Sequence, residues 1–113
     1  MAASPLTPIA VSRAGAELAL IAGDANGHIF TNADDRTIFV ATNASGGSVN
    51  YTISWGTGVA IDGATPTPKV VAVPAGKTWV FGPYPTQWYN DANGKVTITP
   101  ATATGQTVAA LKI

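Results

Sequence analysis

Few residues in this chain have side chains able to do chemistry. Its single histidine, His28, sits in DANGHIFTN, and the nearest nucleophile candidates are Ser12 and Ser54. Neither serine lies in a G-x-S-x-G setting. A Ser/His/Asp triad can be assembled from distant positions, but a lone histidine beside a turn reads first as a solvated loop residue. Asp34-Asp35 and Asp91-x-Asn93-Gly94 suggest calcium, which needs about six to eight oxygens, with a closing Glu in the EF-hand form. DANGKVTITPAT has no Glu, and Asp-x-Asn-Gly is also ordinary turn composition. GTGVAIDG, residues 56–63, lacks the Lys-Ser/Thr of a phosphate loop and reads as a flexible strand connection. Asn43-Ala44-Ser45 and Asn50-Tyr51-Thr52 match the glycosylation acceptor pattern, as a Thr-rich chain does by chance. With no cysteine, disulfides and thiolate metal sites are excluded. The expectation is a protein with no catalytic residue, no metal and no cofactor.

The aromatic residues are the other chemical resource. Residues 82–94, GPYPTQWYNDANG, hold three of them between two prolines and two glycines. Aromatic faces stack on apolar sugar faces and anchor protein interfaces. Trp55 alternates with Ile53 and Tyr51 and is expected in the core. Trp79 fits either face of its strand. Trp88 and Tyr89 are the expected exposed pair.

Composition narrows the partners. Six basic and six acidic side chains give zero formal net charge over 113 residues. Charged residues make up 11%, against about 25% in a typical soluble domain. That balance argues against nucleic acid, which basic groups bind by displacing counterions, and against a polybasic membrane anchor. No apolar run approaches the ~20 residues of a membrane-spanning helix. MAASPLTPIAVSRAG lacks the basic segment and apolar core of a signal peptide, so synthesis and folding in the cytoplasm are expected. Low net charge favours association, a hint that part of the surface is covered in the working state.

The elements that must position these residues read as strands. β-branched and aromatic residues come in short runs broken by Gly, Pro, Asn and Asp. Residues 14–23, AGAELALIAG, have helix formers, but Gly15 and Gly23 confine them to about two turns, and 17–22 is read as strand. Further strands are expected at 36–43, 49–55, 69–73, 78–81, 95–99 and 107–113, with Val108, Leu111 and Ile113 as core residues in the last. NASGGS reads as a hairpin turn with Gly46 and Gly47 at positive φ. PAGK at 74–77 and the Asn93-Gly94 dipeptide read as tight turns. ADDRT, 33–37, reads as a loop before a strand, with Arg36 available to pair with a carboxylate. About seven strands at this spacing predict a single all-β domain, an antiparallel β-sandwich or barrel. Pro5 and Pro8 hold the start of the chain extended, giving an N-terminal arm over 1–13 and a β-sandwich domain over 14–113.

The C-terminal half, VVAVPAGKTWVFGPYPTQWYNDANGKVTIT followed by VAALKI, resembles small proteins encoded beside the major capsid protein in tailed bacteriophages, notably those of actinobacteria. The shared pattern is a strand, PAG, a strand ending in GP-aromatic-P, an aromatic-N-D-x-x-G turn and a VTVT-like strand. FTNADDRTIFVATNASGG, residues 30–47, matches an upstream piece of the pattern. The resemblance covers residues 28–113 and omits the first dozen. It implies a head decoration, or cement, protein: a β-sandwich module bound to the outside of the assembled shell in the virion, made in the bacterial cytoplasm. Its partners would be the major capsid protein and other copies of itself, with a trimer favoured. The shared positions, Asp35, Arg36 and Thr37, Pro74, Ala75 and Gly76, Gly82, Pro83, Tyr84 and Pro85, and Asn90, Asp91 and Gly94, look fold-defining. Contacts with capsid or neighbouring copies are expected from Pro5, Leu6, Pro8 and Ile9 of the arm and from Trp88 and Tyr89. The alternative is an Ig-like module that binds carbohydrate or a cell surface.

Overall fold

The computed structural model describes residues 3–56, 60, 62–64 and 66–113. In chain order the described elements are β1 (Ser4–Leu6), β2 (Ile9–Ala10), β3 (Ile21–Ala22), β4 (His28–Thr31), β5 (Thr37–Asn43), β6 (Val49–Ile53), β7 (Lys69–Val73), β8 (Thr78–Phe81), α1 (Thr86–Tyr89), β9 (Lys95–Pro100) and β10 (Gln106–Lys112). One sheet runs β1-β4-β9-β6-β7. The other runs β2-β10-β5-β8, with β3 also paired to β10. Neither sheet closes on itself, so the barrel is excluded. The protein is mostly β, as its composition implies. Both sheets are mixed and not purely antiparallel, because β1 pairs parallel to β4 and β2 parallel to β10.

The two sheets share one core. Phe30, Tyr51, Ile53, Val73, Val96 and Ile98 come from the first sheet, and Phe39, Ala41, Phe81, Val108 and Ala110 from the second. Phe39 is its centre. Its ring stacks on Phe30 at 6.0 Å and 17°, lies tilted 6.0 Å from Tyr51 and meets Phe81 edge-on at 5.5 Å, and ring quadrupoles favour offset-stacked and edge geometries. The period-2 pattern placed Val49, Tyr51 and Ile53 together, and all three are buried. It misled in β10. Val108 and Ala110 face the core, whereas Leu111 has the opposite parity and Ile113 is exposed. Two small alanines buried beside bulky rings outweigh the larger aliphatics that follow them.

The connections differ most from the sequence reading. β5 and β6 lie in different sheets, and so do β7 and β8. NASGGS is therefore not a hairpin, and Gly46 and Gly47 are not among the positive-φ glycines. PAGK does turn, with Lys77 N–H bonded to Pro74 O at 3.2 Å, but it also carries the chain from one sheet to the other. Among the described strands that follow one another in sequence, β6 and β7 pair directly. His28 begins a strand that the sequence reading lacked. The proposed strand over 17–22 contracts to Ile21–Ala22, and the strand from 49 ends at Ile53.

Three crossings between the sheets meet at one buried side chain, Asn43. Its Nδ2 donates to Gly47 O at 2.8 Å and Val73 O at 3.0 Å. Its Oδ1 accepts from Ser45 N, Ser45 Oγ and Gln106 Nε2. Its backbone bonds both Lys77 O and Gly76 N. Gln106 in turn accepts the Tyr51 hydroxyl at 2.6 Å. Burial pushes the Tyr51 pKa up to about 12, so the phenol keeps the proton it donates. Asn43→Ala is expected to remove about 4 kcal/mol of stability, since each buried polar group left unpartnered costs about 1–3 kcal/mol. Tyr51→Phe removes one bond and is expected to cost about 1–2 kcal/mol. Urea denaturation followed by tryptophan fluorescence measures both. Equal, small effects would show that Asn43 is not the organising residue.

Candidate functional site

The segment from Gly82 to Gly94 links β8 to β9 across the end of the molecule opposite Asn43. Two asparagines hold it. Asn32 Nδ2 donates to Tyr84 O at 2.8 Å and to Asn90 Oδ1 at 3.0 Å, while Asn90 Nδ2 donates back to Asn32 O at 2.6 Å. Asp35, at φ +62, turns its Oδ1 onto the Thr86 amide at 2.7 Å and so starts α1. Asp91 Oδ1 accepts the amides of Asn93 and Lys95 at 2.8 and 3.1 Å, an Asx turn that feeds β9. Gly56 N–H bonds Trp88 O at 2.8 Å. A side chain there would collide with the Asn90 carbonyl oxygen, so this glycine is needed for close approach.

This scaffold turns most of the aromatics inward. Tyr84 is buried, and its ring lies 4.8 Å from that of Tyr89. Burial raises the Tyr84 pKa far above the usual tyrosine value, with the neighbouring Tyr89 adding to the shift. Tyr89 also stacks on Trp55 at 4.9 Å and 17°. Trp55 is half-buried, past the end of β6, with its indole N–H on Thr67 O at 2.9 Å. Tyr89 is therefore a packed residue and not half of an exposed pair, and Trp55 is not a core residue. Trp88 is 44% exposed.

Among the exposed large apolar side chains of the strands, Ile21 of β3 lies beside β10, and the others lie on β7 and β8. β7 and β8 are the edges of their sheets. Val70 is 53%, Trp79 39% and Val80 61% exposed. The charged residues of these two strands and their connection are Lys69 and Lys77. Trp79 has inward parity, opposite Ala41, but among the described residues no strand lies beyond β8 to cover it. The sequence left Trp79 open and did not single out Val70 or Val80, because alternation reports faces and not edges.

The arm lies against its own domain. Leu6 is buried, Pro8 and Ile9 are half-buried and Pro5 is exposed. Leu6 joins the core cluster, and Ile9 pairs with Leu111. The expected apolar contacts of Leu6 and Ile9 are thus made within the chain. His28 is fully buried, contrary to the solvated loop reading. Its Nε2 accepts the Asp24 amide at 2.9 Å, and its Nδ1 has no partner among the described residues. Burial lowers its pKa, partly offset by the Asp24 carboxylate. Arg36 joins no ion pair among the described residues, where Lys112 and Asp34 form one at 3.5 Å. No cluster of three His, Asp or Glu side chains there could hold a metal. Residues 57–59 and 61 of the glycine-containing connection lie outside the described residues. Asn43 of the glycosylation-like motif is buried with both Nδ2 bonds made.

Sequence reasoning missed Asn32, Asn43 and Gln106. All three end or flank strands beside turn residues, where asparagine is unremarkable, and no local pattern marks burial. Trp88→Ala is expected to change stability by less than about 0.5 kcal/mol, as an exposed substitution does. Tyr84→Ala is expected to cost about 3–5 kcal/mol, as a buried aromatic does. Thermal unfolding of both variants checks this, and a Trp88→Ala loss as large as that of Tyr84→Ala would make the whole segment structural. Comparison of the chain with protein-family profiles, with curated protein sequences and with solved structures finds no match.

Proposed function

We propose that this chain is a bacteriophage head decoration protein. In this reading a β-sandwich module binds the outer surface of the assembled major capsid shell and stabilises it, without catalysis, as part of the virion. Copies associate with one another as well as with the shell, a trimer being the favoured arrangement. The observation that carries the reading is the division of labour among the aromatic and apolar residues. The motif positions that resemble capsid-associated proteins, Asp35, Tyr84, Asn90 and Asp91, make bonds and packing within the fold. Val70, Val80 and Trp88 are exposed, and edge-strand Trp79 is 39% exposed, on a domain of zero formal net charge. Exposed tryptophans are favoured interface anchors, and a repeated lattice lets weak contacts add by avidity.

The contact set expected from the sequence changes accordingly. Pro5 and Trp88 remain available, Leu6 and Tyr89 serve the fold, and Trp79 and Val80 join. Exposed Trp88 beside the Trp55–Tyr89 stack also supports the second reading, a carbohydrate-binding module.

Purified heads lacking the protein should take up wild-type chain. Trp79→Ala combined with Val80→Thr, and separately Trp88→Ala, should each lower occupancy at a fixed free concentration by at least about tenfold, the effect of losing a contact of about 1.4 kcal/mol. Full occupancy by both folded variants would count against these surfaces. No uptake of wild-type chain, with glycan binding abolished by Trp88→Ala, would favour the carbohydrate module instead.

A further inference from the structure

The arm is tied to the domain through three residues that neither the core nor the aromatic segment uses. Ser4 Oγ donates to Asp24 Oδ2 at 2.5 Å, and Ser4 N–H donates to Gly27 O at 2.9 Å. Asp24 N–H donates to His28 Nε2 at 2.9 Å, and Asp24 Oδ1 accepts the Asn26 amide at 2.8 Å. Gly27 closes the turn at φ +100, with its amide on Asp24 O. A Cβ at Gly27 would lie 2.6 Å from Thr99 Oγ1, so the turn accepts no side chain at this position. Ser4 and His28 are themselves cross-strand partners in the β1–β4 pair.

We propose that Ser4, Asp24 and His28 form a proton-sensitive clasp, which holds the N-terminal arm against β4 at neutral pH and releases it on acidification. The geometry dictates the sense. Because Nε2 is an acceptor, the neutral ring carries its proton on Nδ1. A second proton can only go to Nε2, where it would face the Asp24 N–H, donor against donor. The turn can respond in two ways. The Asp24 amide moves away and takes its side chain from Ser4, or the carboxylate swings to accept the imidazolium and releases Ser4 and Asn26. Both routes break the Ser4–Asp24 bond.

The surroundings of His28 offer no other relief. Phe39 of β5 presents its ring 6.3 Å away, and Ile98 of β9 lies opposite across the sheet. Asp24 is the charged group acting on the imidazole among the described residues, and its bonds with Ser4 and Asn26 hold its own pKa below the usual aspartate value. It therefore stays ionised across the range in which histidine titrates. The clasped imidazole has a depressed pKa, whereas a released one returns towards about 6.5. The released state then binds more protons, so the clasp is intact above about pH 6.5 and weakens as pH falls below it. Release would uncover the β4 edge and the cavity of about 300 Å³ that Leu6 and Ile9 line with Ile21 and Ala109. The inference is independent of the decoration role.

Amide hydrogen exchange read by NMR on the full chain tests it. Protection factors for Ser4 and Leu6, corrected for intrinsic rates, should fall about tenfold from pH 7.5 to 5.5, the shift expected from an opening linked to a group of pKa about 6.5. Protection in β5 and β10 should hold over the same range. His28→Gln keeps an acceptor without a titrating ring and should flatten the pH response. Ser4→Ala leaves His28 in place and should lower arm protection at pH 7.5 to near its acid level. Unchanged wild-type arm protection between the two pH values would overturn the clasp, as would an unaltered pH response in folded His28→Gln. So would loss of arm protection only together with β5 and β10, because the event would then be global unfolding.

Discussion

The fold depends on a polar constraint at one end: the chain must pass between two sheets without stranding its backbone groups. A chain that leaves one sheet for the other gives up ladder hydrogen bonds at each corner, and a buried unpaired carbonyl or amide is costly. Here three such corners converge, at 43–48, 74–77 and 101–105. A single side-chain amide serves them. Asn43 has two donors and a carbonyl with two lone pairs, and its fully buried side chain uses both ends. An apolar residue of the same size would pack there but take one bond each from Gly47 O, Val73 O and the Gln106 amide. Gly47 O would keep only Ser45 Oγ at 3.1 Å, and Gln106 Nε2 only Thr104 O at 3.1 Å, among the described side-chain bonds. Through Gln106 the network reaches Tyr51 in the first sheet, so the polar corner and the aromatic core fix each other's register.

The opposite end solves the same problem with reciprocal amides. Asn32 closes β4 and Asn90 precedes β9, and each satisfies the other's backbone or side chain. This pair holds the β8–β9 connection down firmly enough for Tyr84 to be buried and Tyr89 to stack on Trp55. Asn32 Oδ1 has no partner among the described residues. The aromatic wealth of GPYPTQWYNDANG is thus largely spent on closing the end of the molecule, and Trp88 is the ring it leaves outside.

Alternation in the sequence revealed that Val49, Tyr51 and Ile53 of β6 face inward, because a half-buried strand alternates its side chains between two faces. Turn chemistry at Pro74–Lys77 and Asp91–Lys95 was equally legible, since it rests on local geometry. The pairing of strands was not. Glycine-rich connections such as NASGGS suit a hairpin and a crossing between sheets alike, and the choice is made by Asn43 bonding to residues up to 63 positions away. The error in β10 has a related cause. Leu111 and Ile113 outrank Ala110 in hydrophobicity, but the space opposite Phe39 and Tyr51 is already filled by rings, and only a small residue fits. His28 escaped notice because its strand is four residues long and opens directly from a turn.

The two sides of the molecule are not equivalent. On one side the arm runs from β4 in the first sheet to β10 in the second and covers both edges with short parallel strands. On the other side β7 and β8 end their sheets uncovered, with Val70, Trp79 and Val80 exposed. Free edges invite pairing with other chains, and proteins blunt them with short strands and lysines. β8 has four residues, and Lys69 and Lys77 flank the two strands. These features discourage indiscriminate strand addition, yet they do not remove the apolar surface. Val80 could be polar without loss to the core, because it points outward and is 61% exposed, and Trp79 leaves 39% of its surface open at the same edge. That exposed apolar surface therefore contributes little to folding and finds its physical use in contact with another surface.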